Sequence, residues 1–214
     1  MIGTQTDGRL LRGEQTRRLI LQRAVNIASV DGLEGLSIGR LATELKVSKS
    51  GVFTHFGSKE ELQLATVRAA AAIFIAEVVR PAEQVPPGLR RVWLMCERRL
   101  GYMSRPVFAG GCFFYAATAE FDTRPGRVRD EIAAHLRRWR KKNADDILEA
   151  KVLGEIAEDT DVEGLAFELD AYARAGGGDA LLHDDPGAIT RTRTIMLARL
   201  RSVATDPSIL PVPA

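Results

Sequence analysis

Residues 47–62 read VSKSGVFTHFGSKEEL, a stretch in which one short helix ends and another begins at once. Ser48 has the side chain of a good helix N-cap, and Gly57 is of the type that ends a helix. Residues 58–61 match the S-x-x-E capping box, which favours a new helix start directly after that glycine. The stretch therefore predicts a short helix with tight boundaries on both sides.

The predicted short helix has one apolar side and one small, polar side. We predict that Val52, Phe53 and Phe56 face inward and hold the helix against the rest of the protein. The SKSG sequence at residues 48–51 keeps the leading end thin, so that its hydroxyls can reach phosphates or base edges. Lys49 adds a positive charge at the same end.

A second short helix precedes this one and is joined to it by a very short turn. Ser37 is its predicted N-cap, and Lys46 and Val47 form the turn. Its apolar stripe consists of Ile38, Leu41, Ala42 and Leu45. Two short helices with this connection are typical of a helix-turn-helix unit, which offers its second helix to the major groove of DNA.

Phosphate-binding positions are predicted at three helix N-termini. Lys59 lies in the first turn of the helix that Ser58 begins, beside backbone N–H groups that have no partner within the helix. A phosphate is favoured there by the lysine charge and by those N–H groups. The same argument applies at Ser37 and Ser48.

Residues 16–62, TRRLILQRAVNIASVDGLEGLSIGRLATELKVSKSGVFTHFGSKEEL, resemble the DNA-binding region of the TetR family of transcriptional regulators. The likeness rests on the glycine after the first helix, the S-x-x-x-[IL]-A pattern and the closing VSKSGVFTHFGSKEEL. More loosely, residues 110–132 resemble one branch of the same family. The resemblance implies an all-helical homodimer whose divergent C-terminal domain binds a small ligand and supplies the dimer contact.

Two positions depart from the family pattern. Lys46 stands where the family often has glycine, so a left-handed backbone there would carry a steric cost, while its charge lies near the DNA. Phe53 stands where the family often has a tyrosine that reaches phosphate, and we therefore assign it to packing only. The residues that we expect to contact DNA are Ser37, Lys46, Ser48, Lys49, Ser50, Gly51, Thr54, His55 and Lys59.

The composition is that of a globular protein rather than a disordered chain. The 214 residues are 45% hydrophobic and 27% charged, with a formal net charge of +2. Cys96 and Cys112 do not form a CxxC pair, so we expect reduced thiols rather than a zinc or redox motif. We recognise no signal peptide, and the most apolar run, at 69–75, is too short to span a membrane. We predict a cytoplasmic protein without a membrane partner, metal or cofactor.

The chain is predicted to be all-α, with about nine helices, because no stretch alternates convincingly with the period of a strand. The predicted organisation is a flexible N-terminal arm at 1–14, a helix-turn-helix DNA-binding domain at 15–60, a ligand-binding and dimerisation domain at 61–205 and a loose C-terminal tail at 206–214.

The C-terminal half is predicted to bind a small molecule and a second copy of the chain. The resemblance implies dimerisation through the last two long helices, at about 161–182 and 186–204. The glycines at 176–178 weaken the first of these by roughly 0.8–1 kcal/mol each relative to alanine, and permit either a close crossing at a two-fold axis or a kink. The core residues that we expect to line a ligand cavity are Trp93, Cys96, Met103, Phe113, Phe114, Phe121 and Trp139.

The leading interpretation is a ligand-responsive repressor that binds a palindromic operator as a dimer and is released by a small apolar ligand. One alternative is a regulator controlled by a protein partner. Another is an all-helical enzyme, although the sequence shows no convincing nucleophile, base or metal set. His183, Asp184 and Asp185 suggest metal ligands, but adjacent side chains point in different directions and Asp185 is predicted to cap a helix.

Overall fold

The computed structural model describes residues 3–105 and 107–212, with side chains from residue 13 onwards. Within these ranges the chain forms nine helices and no strand, which confirms the all-α prediction. The helices are α1 (Gly3–Asp31), α2 (Ile38–Leu45), α3 (Lys49–Phe56), α4 (Lys59–Ala82), α5 (Leu89–Ser104), α6 (Phe113–Phe121), α7 (Arg127–Val152), α8 (Val162–Leu182) and α9 (Gly187–Val203).

Helix α1 begins much earlier than the sequence predicts. Residues 3–14, which we expected to be a flexible arm, are helical and continue directly into the predicted helix. Residues 9–12 are arginine and leucine, which favour helix without any apolar period. Because Ile20 and Ala24 anchor the following turns in the core, extending the helix toward the N-terminus needs no new nucleus. Residues 1 and 2 lie outside the described part of the chain.

Helix α4 contains the most apolar run of the sequence. It continues through a π-helical turn at Ile75–Val79 and ends at Ala82, beyond the end at Val79 that the sequence predicts. By length and composition alone it could cross a membrane, contrary to our expectation for its apolar run. Half of its most apolar segment is buried inside the protein, as in the core helices of soluble proteins, which meet the same criteria.

The described helices fall into two compact units. The first comprises Met1–Ala71 and Phe108–Ile132. In it α6 packs on α1, an association that local sequence patterns do not predict. Its helix-turn-helix core consists of Ile20, Ala24, Ile27, Leu36, Leu41, Ala42, Val52, Phe56, Leu62 and Ala65.

The second compact unit comprises Ala72–Val107 and Ala133–Ala214, and in it α8 packs closely on α9. A Cβ atom at Gly176 would overlap the Thr192 hydroxyl of α9, and one at Gly177 would lie 2.8 Å from the sulfur of Met103 on α5. These two glycines therefore let the helices of one chain approach each other, a role that neither of our two sequence-based alternatives describes.

The described part of the C-terminal tail is ordered against the second unit rather than loose. Pro207–Ile209 forms a 3-10 turn, and Leu210 is buried in the core. The guanidinium of Arg201 donates hydrogen bonds to the carbonyl oxygens of Pro207 and Pro211, each at 3.0 Å. The proline content suggested a loose segment, but one buried leucine and one arginine clamp are enough to fix it.

Candidate nucleic-acid interface

Both helices of the helix-turn-helix unit begin at the predicted caps. The Ser37 hydroxyl accepts a hydrogen bond from the Arg40 N–H at 3.1 Å, and the Ser48 hydroxyl accepts one from the Gly51 N–H at 3.1 Å. Each cap satisfies a backbone donor in the first turn of its helix. The starts of α2 and α3 are therefore fixed by side chains that also lie at the surface.

The turn between α2 and α3 is closed by a lysine in the left-handed conformation. Lys46 has φ 54° and ψ 40°. Its N–H donates to the Thr43 carbonyl at 3.2 Å, and the Val47 N–H donates to the Ala42 carbonyl at 3.0 Å. This is the helix-ending motif in which glycine is preferred, so an L-residue costs about 1 kcal/mol here.

Two side chains, rather than the predicted three, anchor α3 in the core. Val52 and Phe56 are buried, whereas Phe53 is 55% exposed, so its assignment to inward packing is wrong. Successive helical residues turn by about 100°, which brings Phe56 back beside Val52 and leaves Phe53 rotated toward the solvent. Phe53 lies on the side of the helix that carries Lys49 and Ser50.

The nine residues predicted to contact DNA are at the surface. His55 is half-buried and the others are exposed. The hydroxyls of Ser48 and Ser50 lie 3.1 Å apart, and the Thr54 hydroxyl donates to the Ser50 carbonyl at 2.8 Å. These bonds orient three small polar side chains on α3 while leaving lone pairs free for a partner.

Positive charge on this surface is concentrated at the turn and the start of α3. Among the described side chains, Lys46 and Lys49 have no carboxylate partner. Arg40 instead pairs with Asp31 at 2.5 Å and with Glu44 at 3.2 Å. Within the described part of the chain, Lys46 and Lys49 thus place two cations without a carboxylate partner at the turn and the leading end of α3.

Lys59, a predicted phosphate contact, has an internal partner. Its ammonium group donates to the carbonyl oxygen of Glu34 at 2.8 Å and to the carboxylate of the same residue at 2.9 Å. Hydrogen bonds from Lys59 and Gln63 lower the pKa of Glu34 and keep it ionised. Sequence reasoning missed this pair because the two residues are distant along the chain.

The two compact units divide the seven residues predicted to line a ligand cavity. Phe113, Phe114 and Phe121 are buried in the first unit, where the first two rings meet edge-on with centroids 5.2 Å apart. Trp93, Cys96, Met103 and Trp139 belong to the second. Burial raises the pKa of the Cys96 thiol to about 12, which makes it an unreactive core residue.

A cluster that the sequence analysis missed lies in the second unit. The Asp170 carboxylate accepts hydrogen bonds from Arg99, from the Trp139 indole at 2.9 Å and from Arg174 at 2.7 Å. Burial alone would raise the pKa of Asp170, but the two guanidiniums and these bonds outweigh it and lower the pKa to about 2. Arg99 is buried, and its charge also lies over the Trp139 ring.

The cavity at this cluster is small. It has a volume of about 10 Å³, the space of one water molecule. Of the predicted cavity residues it includes Cys96 and Trp139. Its lining is Met95, Cys96, Arg99, Trp139, Asn143, Leu169, Asp170 and Met196. The position of Arg99 in the sequence could have indicated its burial, because it follows Val92 and Cys96 at helical spacing on the apolar side of α5.

An all-helical chain with a capped helix-turn-helix unit and an outward, lysine-edged second helix belongs to the class of helical DNA-binding proteins. A sequence model described as "Tetracyclin repressor-like, C-terminal domain" matches residues 88–196, and one described as "Bacterial regulatory proteins, tetR family" matches residues 20–66. No match is found among curated proteins.

Solved structures share the fold over nearly the whole chain. A TetR transcriptional regulator from Chloroflexus aurantiacus is 21% identical, with a TM-score of 0.84 over 90% of this chain and 98% of its own. A TetR-family regulator from Streptomyces coelicolor is 21% identical, with a TM-score of 0.76 over 89% and 96%. AibR, solved with isovaleryl coenzyme A and operator DNA, is 17% identical, with a TM-score of 0.66 over 87% and 96%.

The chain belongs to the TetR family of transcriptional regulators, because the C-terminal family model alone covers more than half of it. It is a DNA-binding regulator and not an enzyme.

Proposed function

We propose that the chain is a cytoplasmic, ligand-responsive repressor that binds a near-palindromic operator as a dimer and is released by a small apolar effector. The observation that carries the DNA-binding part is the outward side of α3. It combines small hydroxyl side chains with the charges of Lys46 and Lys49, neither of which has a carboxylate partner among the described side chains. Such a surface fits a major groove, where lysines meet phosphates and short side chains let the backbone approach the bases.

The proposed DNA contacts are the nine predicted residues together with Phe53. Phe53 shares the outer side of α3 with Lys49 and Ser50, and its exposed ring is suited to an apolar contact with a thymine methyl group. Ser37, Ser48 and Lys59 lie at the N-termini of α2, α3 and α4, where backbone N–H groups favour phosphate binding. Base-reading and phosphate-binding groups are thus assigned to different parts of one surface.

Dimerisation is proposed through α8 and α9. Both helices carry exposed apolar side chains, including Phe167 and Leu181 on α8 and Ile195 on α9. Phe167 and Leu181 lie about four helical turns apart and so share one side of their helix. A second copy of the same surface would cover them and would place two α3 helices on successive major grooves.

Effector control is proposed to act through the core of the second unit. Because the Arg99–Asp170 cavity holds about one water, an effector that binds there must stabilise a different, more open conformation. Release from DNA then follows if that conformation binds the operator less well. Control by a protein partner is the alternative, and it predicts no response to any small molecule.

Fluorescence anisotropy on the DNA flanking the protein's own gene tests the DNA-binding proposal. We expect binding that survives competitor DNA, and a weaker affinity for Lys49→Ala. The matched control is Lys141→Ala, which removes an exposed lysine from α7 and should leave affinity unchanged. Binding to none of the neighbouring promoters, or equal affinities for the two variants, would overturn the proposal.

A further inference from the structure

We propose that the Glu34 carboxylate competes with DNA phosphate for the Lys59 ammonium group, and that Glu120 holds Glu34 in the position where it can do so. The inference rests on the proposed phosphate contact of Lys59 and concerns how strongly that contact acts. All the residues involved belong to the first compact unit.

The Glu34 side chain is held at both carboxylate oxygens. Oε2 accepts from the Lys59 ammonium at 2.9 Å, and Oε1 accepts from the Gln63 amide at 3.1 Å. Gln63 is buried and also donates to the Leu33 carbonyl at 2.9 Å. Lys59 and Glu34 are themselves 45% and 48% exposed, so a phosphate can reach the same ammonium group from the solvent.

The backbone of Glu34 is fixed by a carboxylate from another helix. Glu120 on α6 accepts from the Leu33 N–H at 2.7 Å through one oxygen and from the Glu34 N–H at 2.9 Å through the other. Gly32 makes this approach possible: its φ is +76°, and a Cβ atom there would lie 2.8 Å from the carboxylate. Glu120 thus keeps Glu34 within reach of Lys59.

A DNA phosphate that binds at the start of α4 must either displace the Glu34 carboxylate from the Lys59 ammonium group or share that group with it. The Lys59 ammonium has three N–H donors, and Glu34 receives two of them. A phosphate that takes the position must also lie near the Glu34 charge, which repels it. Because the contact involves phosphate and not bases, Glu34 lowers affinity for any DNA sequence.

The test measures anisotropy of the full chain on its operator and on a random duplex across salt concentrations. Lys59→Met should weaken binding to both duplexes and lower the salt slope by about one. Glu34→Gln should tighten binding to both by about two- to fivefold, the range of an exposed ion pair. In the Lys59→Met background Glu34→Gln should have a much smaller effect, since only the repulsion between Glu34 and nearby phosphate remains to be removed. In a Glu120→Gln background its gain should also shrink.

The matched control is Glu60→Gln. Glu60 follows Lys59 in the sequence, but its carboxylate pairs with Arg127 and not with Lys59. An equal gain from this control would mean that general charge, not competition, raises affinity, and would overturn the inference. The inference that Glu34 competes for Lys59 also fails if Glu34→Gln and Glu34→Ala leave DNA affinity unchanged or weaken it, provided that their melting temperatures show both variants to be folded. If Lys59→Met itself changes nothing, the proposed phosphate contact fails as well, so the two failures are distinguishable.

Discussion

Phe53 and Phe56 lie three residues apart on one short helix, yet Phe56 is 7% exposed and Phe53 is 55% exposed. The buried ring holds α3 in the core, and the other ring is available to a partner. The two aromatic residues therefore have separable roles in stability and in binding.

Replacing each ring by alanine should separate these roles. Phe56→Ala removes a core ring and should lower the free energy of unfolding by about 3 kcal/mol or more. Phe53→Ala should change stability by less than about 0.5 kcal/mol but weaken binding to the operator more than to random DNA. Denaturant unfolding and anisotropy measure the two effects. Unchanged operator affinity for Phe53→Ala would remove it from the proposed contacts.

The left-handed Lys46 predicts opposite effects on stability and binding. Lys46→Gly should raise the free energy of unfolding by about 0.5–1 kcal/mol, because glycine adopts this backbone without steric cost. The same change should weaken DNA binding by removing a charge. Lys46→Ala is the control, since it loses the charge but keeps the strain. A stability gain in both variants would show that the lysine charge, and not the backbone, is responsible.

The Gly176–Thr192 approach predicts that a single methyl group disturbs the packing of α8 on α9. Gly176→Ala should destabilise by about 1–3 kcal/mol despite the better helix propensity of alanine. Gly177→Ala meets only the flexible Met103 side chain and should cost less. Thermal unfolding compares the two, and Thr192→Ala should partly rescue the first. Equal melting temperatures for both glycine variants would contradict the close contact.

The Asp170 cluster predicts a specific acid sensitivity. Its pKa is about 2 in the folded protein against an ordinary value of 3.8, so the ionised form stabilises the fold above pH 4. By linkage this contribution, about 2 kcal/mol, is lost as the pH falls from about 4 to about 2. Asp170→Asn should therefore be less stable than the native chain at pH 7, with a difference that shrinks toward pH 2. A difference independent of pH would contradict the linkage.

Local patterns predicted the helix-turn-helix unit well because its signals are local. The Ser37 and Ser48 caps and the turn at Lys46 each depend on a few neighbouring residues, and the structure contains all three. Phe53 departs from the predicted inward packing because each residue of a helix is rotated by about 100° from the one before it, so adjacent apolar residues do not share one side.

Distant pairs could not be predicted from one sequence. The Glu34–Lys59 and Arg99–Asp170 pairs join residues from separate helices or loops. Glutamate, arginine and lysine on amphipathic helices are ordinarily solvated, so no local signal marks these particular ones as paired. The order of residues 207–212 was not predicted for a related reason, since Leu210 is buried in a core that includes residues from several helices of the second unit.

The most direct test of DNA binding through α3 is a footprint on the DNA upstream of the protein's own gene, comparing Ser50→Glu with Gln84→Glu. Both substitutions add one negative charge at an exposed residue, and glutamate in the first turn of α3 is compatible with folding. We predict two protected half-sites spaced by a helical turn of DNA or a multiple of it, lost with Ser50→Glu and kept with Gln84→Glu. An unchanged footprint with Ser50→Glu would contradict DNA recognition by this helix.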